Sequence, residues 1–322
     1  MSNTKQVLLR EADSIEALSL VDNTVDFLST TGKKEGQSFR QWTQKRNKAM
    51  SHTLPFAEHG FSMLIRVWKG GKSTSILFDT GCSPDCVVKN AECMGLDLKE
   101  VEFIVLSHGH YDHTGGLLSA LKAIGRADLP VIAHPDVFKA RGSANPDGTV
   151  RAYPEFPSRE QLKTARLIET RQPLLVAGDT VLVTGEIPRE TPFEKGYLQH
   201  RALVEGVWRA DPLIWDDQAV AFNVKGKGLV VISGCAHAGI INTVRYAQRV
   251  TSEADVCAVI GGFHLAGKDC EARIGQSVKE MRRINPGLVV PCHCSGWRAK
   301  FALATALPDA FVWNSVGHLY RL

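Results

Sequence analysis

The sequence predicts an α/β fold in which two mixed sheets pack together with helices outside. Three observations carry this expectation. Hairpin patterns with short glycine turns occur in both halves of the chain; strand and helix patterns alternate in both halves; and no repeat, low-complexity tract or sharp linker divides the chain. The 322 residues, 44% of them apolar, are ample for one sizeable core. The preferred division is therefore a single domain over residues 1–322, with a lid inserted at residues 190–216.

The elements follow in order. FSMLIRVWKGGKSTSILFDTG reads as two strands turning at Lys69–Lys72. SPDCVVKNAECMG reads as a short helix capped by Ser83, with Pro84 in its first turn and Gly95 as its stop. VEFIVLSH is a buried strand that ends in polar residues, and a helix then follows with Thr114 as its N-cap. LPVIAHP is a short strand, and the Gly- and Pro-containing stretch 141–159 reads as a loop. QPLLVAGDTVLVTGEIPR returns to strands across a Gly-Asp turn. QAVAFNVKGKGLVVISGCAH is a second hairpin, turning at Lys225–Gly228. Helix, strand, helix, strand and helix then succeed one another to residue 307, with a last strand near AFVWNSV.

Composition narrows the function classes. The net charge of +4 is small and scattered, which argues against a dedicated nucleic-acid binder. No run approaches the ~18 consecutive apolar residues of a membrane helix, and the first twenty residues show no secretory signal. A cytoplasmic location is expected, so the eight cysteines should be reduced thiols. None forms a C-x-x-C pair, which argues against a zinc ribbon.

The chemistry concentrates in SHGHYDH, Ser107–His113. Alternate residues of an extended segment project to one side, so His108 and His110 can face one point. After a turn, Asp112 and His113 can face a neighbouring point. Imidazole nitrogen and carboxylate oxygen are the usual ligands of zinc, and they also suit iron and manganese. One or two such ions are expected.

This H-x-H-x-D-H motif after an apolar strand resembles that of the metallo-β-lactamase superfamily, and ILFDTG resembles its strand–Asp–x–Gly element. TGEIPR, SGCAHAGIINT, GGFHL and PCHCSG resemble the branch named after 7,8-dihydropterin-6-methyl-4-(β-D-ribofuranosyl)aminobenzene 5′-phosphate synthase. The resemblance implies an αβ/βα sandwich with a one- or two-metal site at the strand ends. It places Cys235, His237 and His293 as downstream ligands. The usual middle histidine has no clear counterpart; Glu186 or His237 is expected to take its place. Asp79 is expected to orient the metal loop by hydrogen bonds, as outer carboxylates do.

Substrate contacts are expected from His264, from Arg189 (or Arg201) as an anion partner, and from Trp208 and Trp215 in the lid, with His134 near the cleft. The alternative use of the lid aromatics is a homodimer contact or a private mini-core. The implied reaction is metal-assisted hydrolysis or group transfer on a small anionic heteroaromatic such as a pterin phosphate, with Asp112 as both ligand and proton acceptor. Alternatives are a phosphodiesterase or nuclease, a flavodiiron-type oxidoreductase and a non-catalytic binding protein. The first lacks a basic insertion, the second its flavin domain, and the third would not need a complete first motif. No nucleic-acid or membrane partner is expected.

Overall fold

The protein is described by a computed structural model covering residues 6–44 and 54–322. One sheet runs in the order Ala165–Glu169, Leu129–Ala133, Val101–Val105, Lys72–Phe78, Ser62–Lys69, Ser14–Val21, Leu319–Arg321 and Gly36–Gln37. A second runs Leu174–Val176, Val181–Val183, Ala219–Val224, Gly228–Ser233, Val256–Gly262 and Leu288–Cys292, with Glu11–Ala12 pairing onto Ala219–Val224. Strand periodicity explains how the layers form. Met63, Ile65 and Val67 enter the core between the sheets while Leu64 faces the helices outside. In the second sheet Val230 and Ile232 enter the same central core while Leu229 and Val231 face the opposite helices. Helices Cys86–Cys93 and Leu117–Ile124 cover the first sheet; Ile240–Thr251, Ile274–Ile284 and Gly296–Ala306 cover the second. The result is a helix–sheet–sheet–helix sandwich, as the sequence predicts.

Several local expectations are corrected. The first short helix starts after Asp85 rather than Ser83, and Asp85 makes no side-chain capping hydrogen bond. Thr114 closes a four-residue turn, Tyr111–Thr114, and donates to the His110 carbonyl instead of capping the next helix, which starts from Gly116. The last strand is Leu319–Arg321; Phe311 makes only an isolated bridge to Val289. The largest correction concerns the two stretches read as loop and lid. Arg141–Ala144 and Val150–Ala152 join the hairpin His200–Val204/Val207–Ala210 in a third, four-stranded sheet. These strands are short and mostly polar, so pairing across some sixty residues, not local pattern, makes them strands.

Packing also creates a pH liability. His318 is buried, and neither ring nitrogen is hydrogen-bonded. Burial lowers its pKa from 6.5 to about 4. Between those values the unfolded chain binds a proton that the fold rejects, so stability is full above pH 6.5 and falls as pH drops toward 4. The loss is up to about 3 kcal/mol. His318→Leu should flatten this slope in urea melts at neutral and acidic pH; an unchanged slope would refute the assignment.

Candidate metal centre

The site forms where strands end. Lys72–Phe78 runs parallel to Val101–Val105, and Gly228–Ser233, Val256–Gly262 and Leu288–Cys292 run parallel to one another. Their carboxyl ends carry Asp79, the His108–His113 loop, Cys235 with His237, His264, and His293. The turns are conformationally costly: Asp79, Ala236, His264 and His293 adopt φ of 59°, 53°, 43° and 43°. Such left-handed non-glycine residues cost about 1–3 kcal/mol each and cluster at functional sites. Close approach also matters, because a Cβ on Gly115 would sit 1.8 Å from the Cys82 carbonyl oxygen. A dipeptide clamps two ligand loops. Asp216 Oδ2 accepts from Gly109 N at 2.8 Å and its Oδ1 pairs with Arg141, while Asp217 Oδ2 accepts from Ala238 N at 2.8 Å.

The imidazoles converge. His108 Nε2 lies 3.0 Å from His110 Nδ1 and 3.2 Å from His237 Nε2. His113 Nε2 lies 3.1 Å from Cys235 Sγ, and His293 Nε2 lies 3.2 Å from Asp112 Oδ2. The ligand atoms of His108, Cys235 and His237 lie within 4.8 Å of one another, as do those of His113, Cys235 and His293. Cys235 is common to both triads. Such spacings suit donors about 2.0–2.3 Å from a shared ion.

Hydrogen bonds on the far side of each ring fix which nitrogen is free. His113 Nδ1 donates to Asp79 Oδ2 at 2.7 Å, and His293 Nδ1 donates to Asn23 Oδ1 at 2.8 Å. Ser107 Oγ donates to Asp79 Oδ2 at 2.7 Å and therefore accepts from His108 Nδ1 at 2.9 Å. In His108 and His293 this leaves Nε2 as a lone-pair donor facing the cluster, and in His113 it makes Nε2 the nitrogen that a metal would reach. His110 is turned the other way. His200 Nδ1 donates to the Asp211 carbonyl at 2.8 Å, so its Nε2 must accept from His110 Nε2 at 3.0 Å. That leaves His110 Nδ1 free beside His108 Nε2. His200→Phe should therefore weaken metal binding roughly 10–100-fold while the fold persists. Competition with a chromogenic chelator measures this, and unchanged affinity would refute the relay.

Electrostatics agree with a cation here. Burial holds His108, His110 and His237 well below the ordinary histidine range, in the neutral form that ligates. Burial pushes the Cys235 thiol well above its ordinary range, so its thiolate needs a cation for compensation. Burial also opposes charge on His113, but Asp79 and Asp112 more than offset it and raise it to about 9. A metal at His113 Nε2 would displace that proton. His293 Nε2 is buried, and its 3.2 Å approach to Asp112 Oδ2 lacks hydrogen-bond geometry. This donor set fits a pair of divalent ions.

Other predicted residues divide. Asp79 bonds to His113 and Ser107 as described, and the His264 ring packs 4.2 Å from that of His237. Glu186 is not in either triad; it pairs with His134 Nε2 at 3.0 Å and Arg171 at 2.7 Å. His237, the other candidate for that place, belongs to the first triad. A cavity of about 500 Å³ opens over the centre, and Arg189, Trp208 and Trp215 do not line it. Arg189 is consumed by the carbonyls of Ile187, Leu213 and Ile214 and lies over the Trp215 ring. Trp208 pairs with Leu203 inside the hairpin, and Arg201 bonds to the carbonyls of Leu198 and His200. The insertion instead presents Tyr197 and Gln199 to the cavity, and His200 to His110.

Sequence reasoning missed His200, His59, Tyr153 and Cys294. His59 Nε2 lies 3.4 Å from Asp112 Oδ2, and Tyr153 packs 5.5 Å from the His110 ring. A histidine inside the flagged insertion was the one usable signal.

Residues 56–250 match the metallo-beta-lactamase superfamily. A relative from Methanocaldococcus jannaschii, a 7,8-dihydropterin-6-methyl-4-(beta-D-ribofuranosyl)-aminobenzene-5′-phosphate synthase, is 31% identical over 77% of this chain and 85% of its own. Tm1679, a metal-dependent hydrolase of the beta-lactamase superfamily, is 25% identical with a TM-score of 0.71, covering 96% of this chain and 98% of that one. YhfI from Bacillus subtilis, a metallo-beta-lactamase fold protein, shares the fold at 14% identity and a TM-score of 0.51, over 96% of this chain and all of its own (100%). With its ligand loops at the strand ends of a four-layer sandwich, the chain belongs to the metallo-beta-lactamase superfamily.

Proposed function

We propose that the protein is a metal-dependent hydrolase or transferase acting on a small, anionic heteroaromatic substrate of the pterin phosphate class. The observation that carries this reading is the cavity itself. Its floor is the histidine–cysteine cluster, its walls include Tyr111, Tyr153 and Tyr197, and Arg151 and Lys268 also line it. Neither cation has an acidic partner among the described residues. Aromatic walls suit a planar ring, and unpaired cations suit phosphate. The likeness to the M. jannaschii synthase supports the same class. Zinc is the proposed metal, because the donors are imidazole, thiolate and carboxylate.

A bound metal pair supplies Lewis acidity and water activation. The chain supplies the rest. Asp112 is buried, yet the charge on His113 holds its carboxyl well below the usual range, and a bound cation would take over that role, so it is ionised and accepts a proton from the attacking group. His59, exposed and 3.4 Å away, can pass that proton to solvent. The test is turnover by metal-loaded protein of a panel: a dihydropterin diphosphate with an aminobenzene ribotide phosphate, a phosphodiester, a thioester and a lactone. Turnover of the pterin compound is expected, with KM raised by Arg151→Ala/Lys268→Ala. Turnover of the lactone or thioester alone would overturn the substrate class.

A further inference from the structure

Next to the histidine cluster lies a further group of ligand-type atoms that shares only Cys235 with the two triads. The sulfurs of Cys235 and Cys294 and a ring nitrogen of His264 lie within 4.8 Å of one another. Cys235 follows the strand Gly228–Ser233 and Cys294 follows Leu288–Cys292, with Val256–Gly262 between them. A side chain at the end of that middle strand would separate them. Position 262 is glycine, and a Cβ there would sit 2.7 Å from Cys294 Sγ and 3.2 Å from Cys235 Cα. The missing side chain is what lets the two thiols meet. Cys294 Sγ also reaches the Cys235 carbonyl at 3.5 Å, and both residues line the cavity, where a small solute can reach them. Disulfide formation requires the sulfurs to close by less than about 3 Å, to the usual ~2.05 Å.

We propose that Cys235 and Cys294 are a peroxide-oxidisable pair whose disulfide removes the shared thiolate from the metal centre. The electron balance is simple. Cys294, outside both triads, attacks one oxygen of a hydroperoxide and becomes a sulfenic acid, while the other oxygen leaves as water or an alcohol. Cys235 sulfur then displaces the sulfenic hydroxyl as water, forming the S–S bond. Two electrons pass from the two sulfurs to the peroxide bond. Cys235, now in a disulfide, is no longer an anionic ligand, and both triads lose a donor at once.

The consequence for metal rests on the metal-centre reading, and the metal content of untreated protein checks that reading separately. Metal-loaded protein is treated with hydrogen peroxide beside Cys294→Ser and Cys294→Ala variants. Released metal is read with a chromogenic chelator, and cross-linked peptides by mass spectrometry without reductant. The expected result is a Cys235–Cys294 cross-link that appears together with metal release and is reversed by dithiothreitol. Both variants should lack the cross-link and release metal several-fold more slowly. Release without the cross-link, a cross-link from Cys294 to Cys270 instead, or a cross-link without release would overturn the proposal.

Discussion

The double replacement His108→Ala/His110→Ala is expected to abolish metal binding by the first triad and to leave the protein inactive. The two rings supply adjacent donors 3.0 Å apart, and each is held by its own outward hydrogen bond. Removing both leaves His237 as the only imidazole of that group. The effect should exceed the roughly 10–100-fold loss in affinity that follows removal of an outer-sphere partner. Metal emission spectroscopy of purified wild-type and variant protein measures it. Equal metal content in the two would sink the assignment. The fold should survive, because these residues sit beyond the strand Val101–Val105 and the apolar cores do not contain them.

Cys235→Ser should produce the second large effect, for a different reason. Cys235 is the one residue common to both triads, so its loss weakens two ions rather than one. A serine hydroxyl is not ionised near neutrality and cannot replace the thiolate. Affinity should fall at least about 10–100-fold for the pair. In cobalt-substituted protein the near-ultraviolet sulfur-to-metal absorption should vanish. Cys235→Asp should restore much of the affinity, since a carboxylate oxygen is again an anionic ligand. Unchanged affinity in Cys235→Ser would reduce the thiol to packing. Together the two variants separate a centre built on histidines alone from one joined through sulfur.

The motif His108–His113 was legible because its ligands are local. Four ligand-type residues on one turn announce a metal whatever surrounds them. Cys235, His237 and His293 came from the family resemblance, and they gather because parallel strands in one sheet bring their carboxyl ends to a common edge. The third sheet was not legible. Residues 141–152 and 200–210 carry weak strand patterns, and each becomes a strand only by pairing with the other. For the same reason Trp208 and Trp215 misled. Aromatic content pointed to a lid whose tryptophans meet substrate, yet neither tryptophan lines the cavity, and Tyr197, Gln199 and His200 face the site.

The sequence by itself determined the layered α/β class, the strand and helix order through most of the chain, and the chemical character of the first metal loop. These depend on short-range periodicity and on ligand type, both written in neighbouring residues. Only the tertiary structure decided that Cys235 is shared between two triads, that Glu186 is occupied by His134 and Arg171, and that Arg189 is spent on backbone carbonyls. It alone decided that His200 sets the tautomer of His110 across 90 residues of chain. A hydrogen bond or a shared ligand is set by where separate strand ends meet, and that meeting is fixed by long-range packing of the two sheets rather than by local sequence.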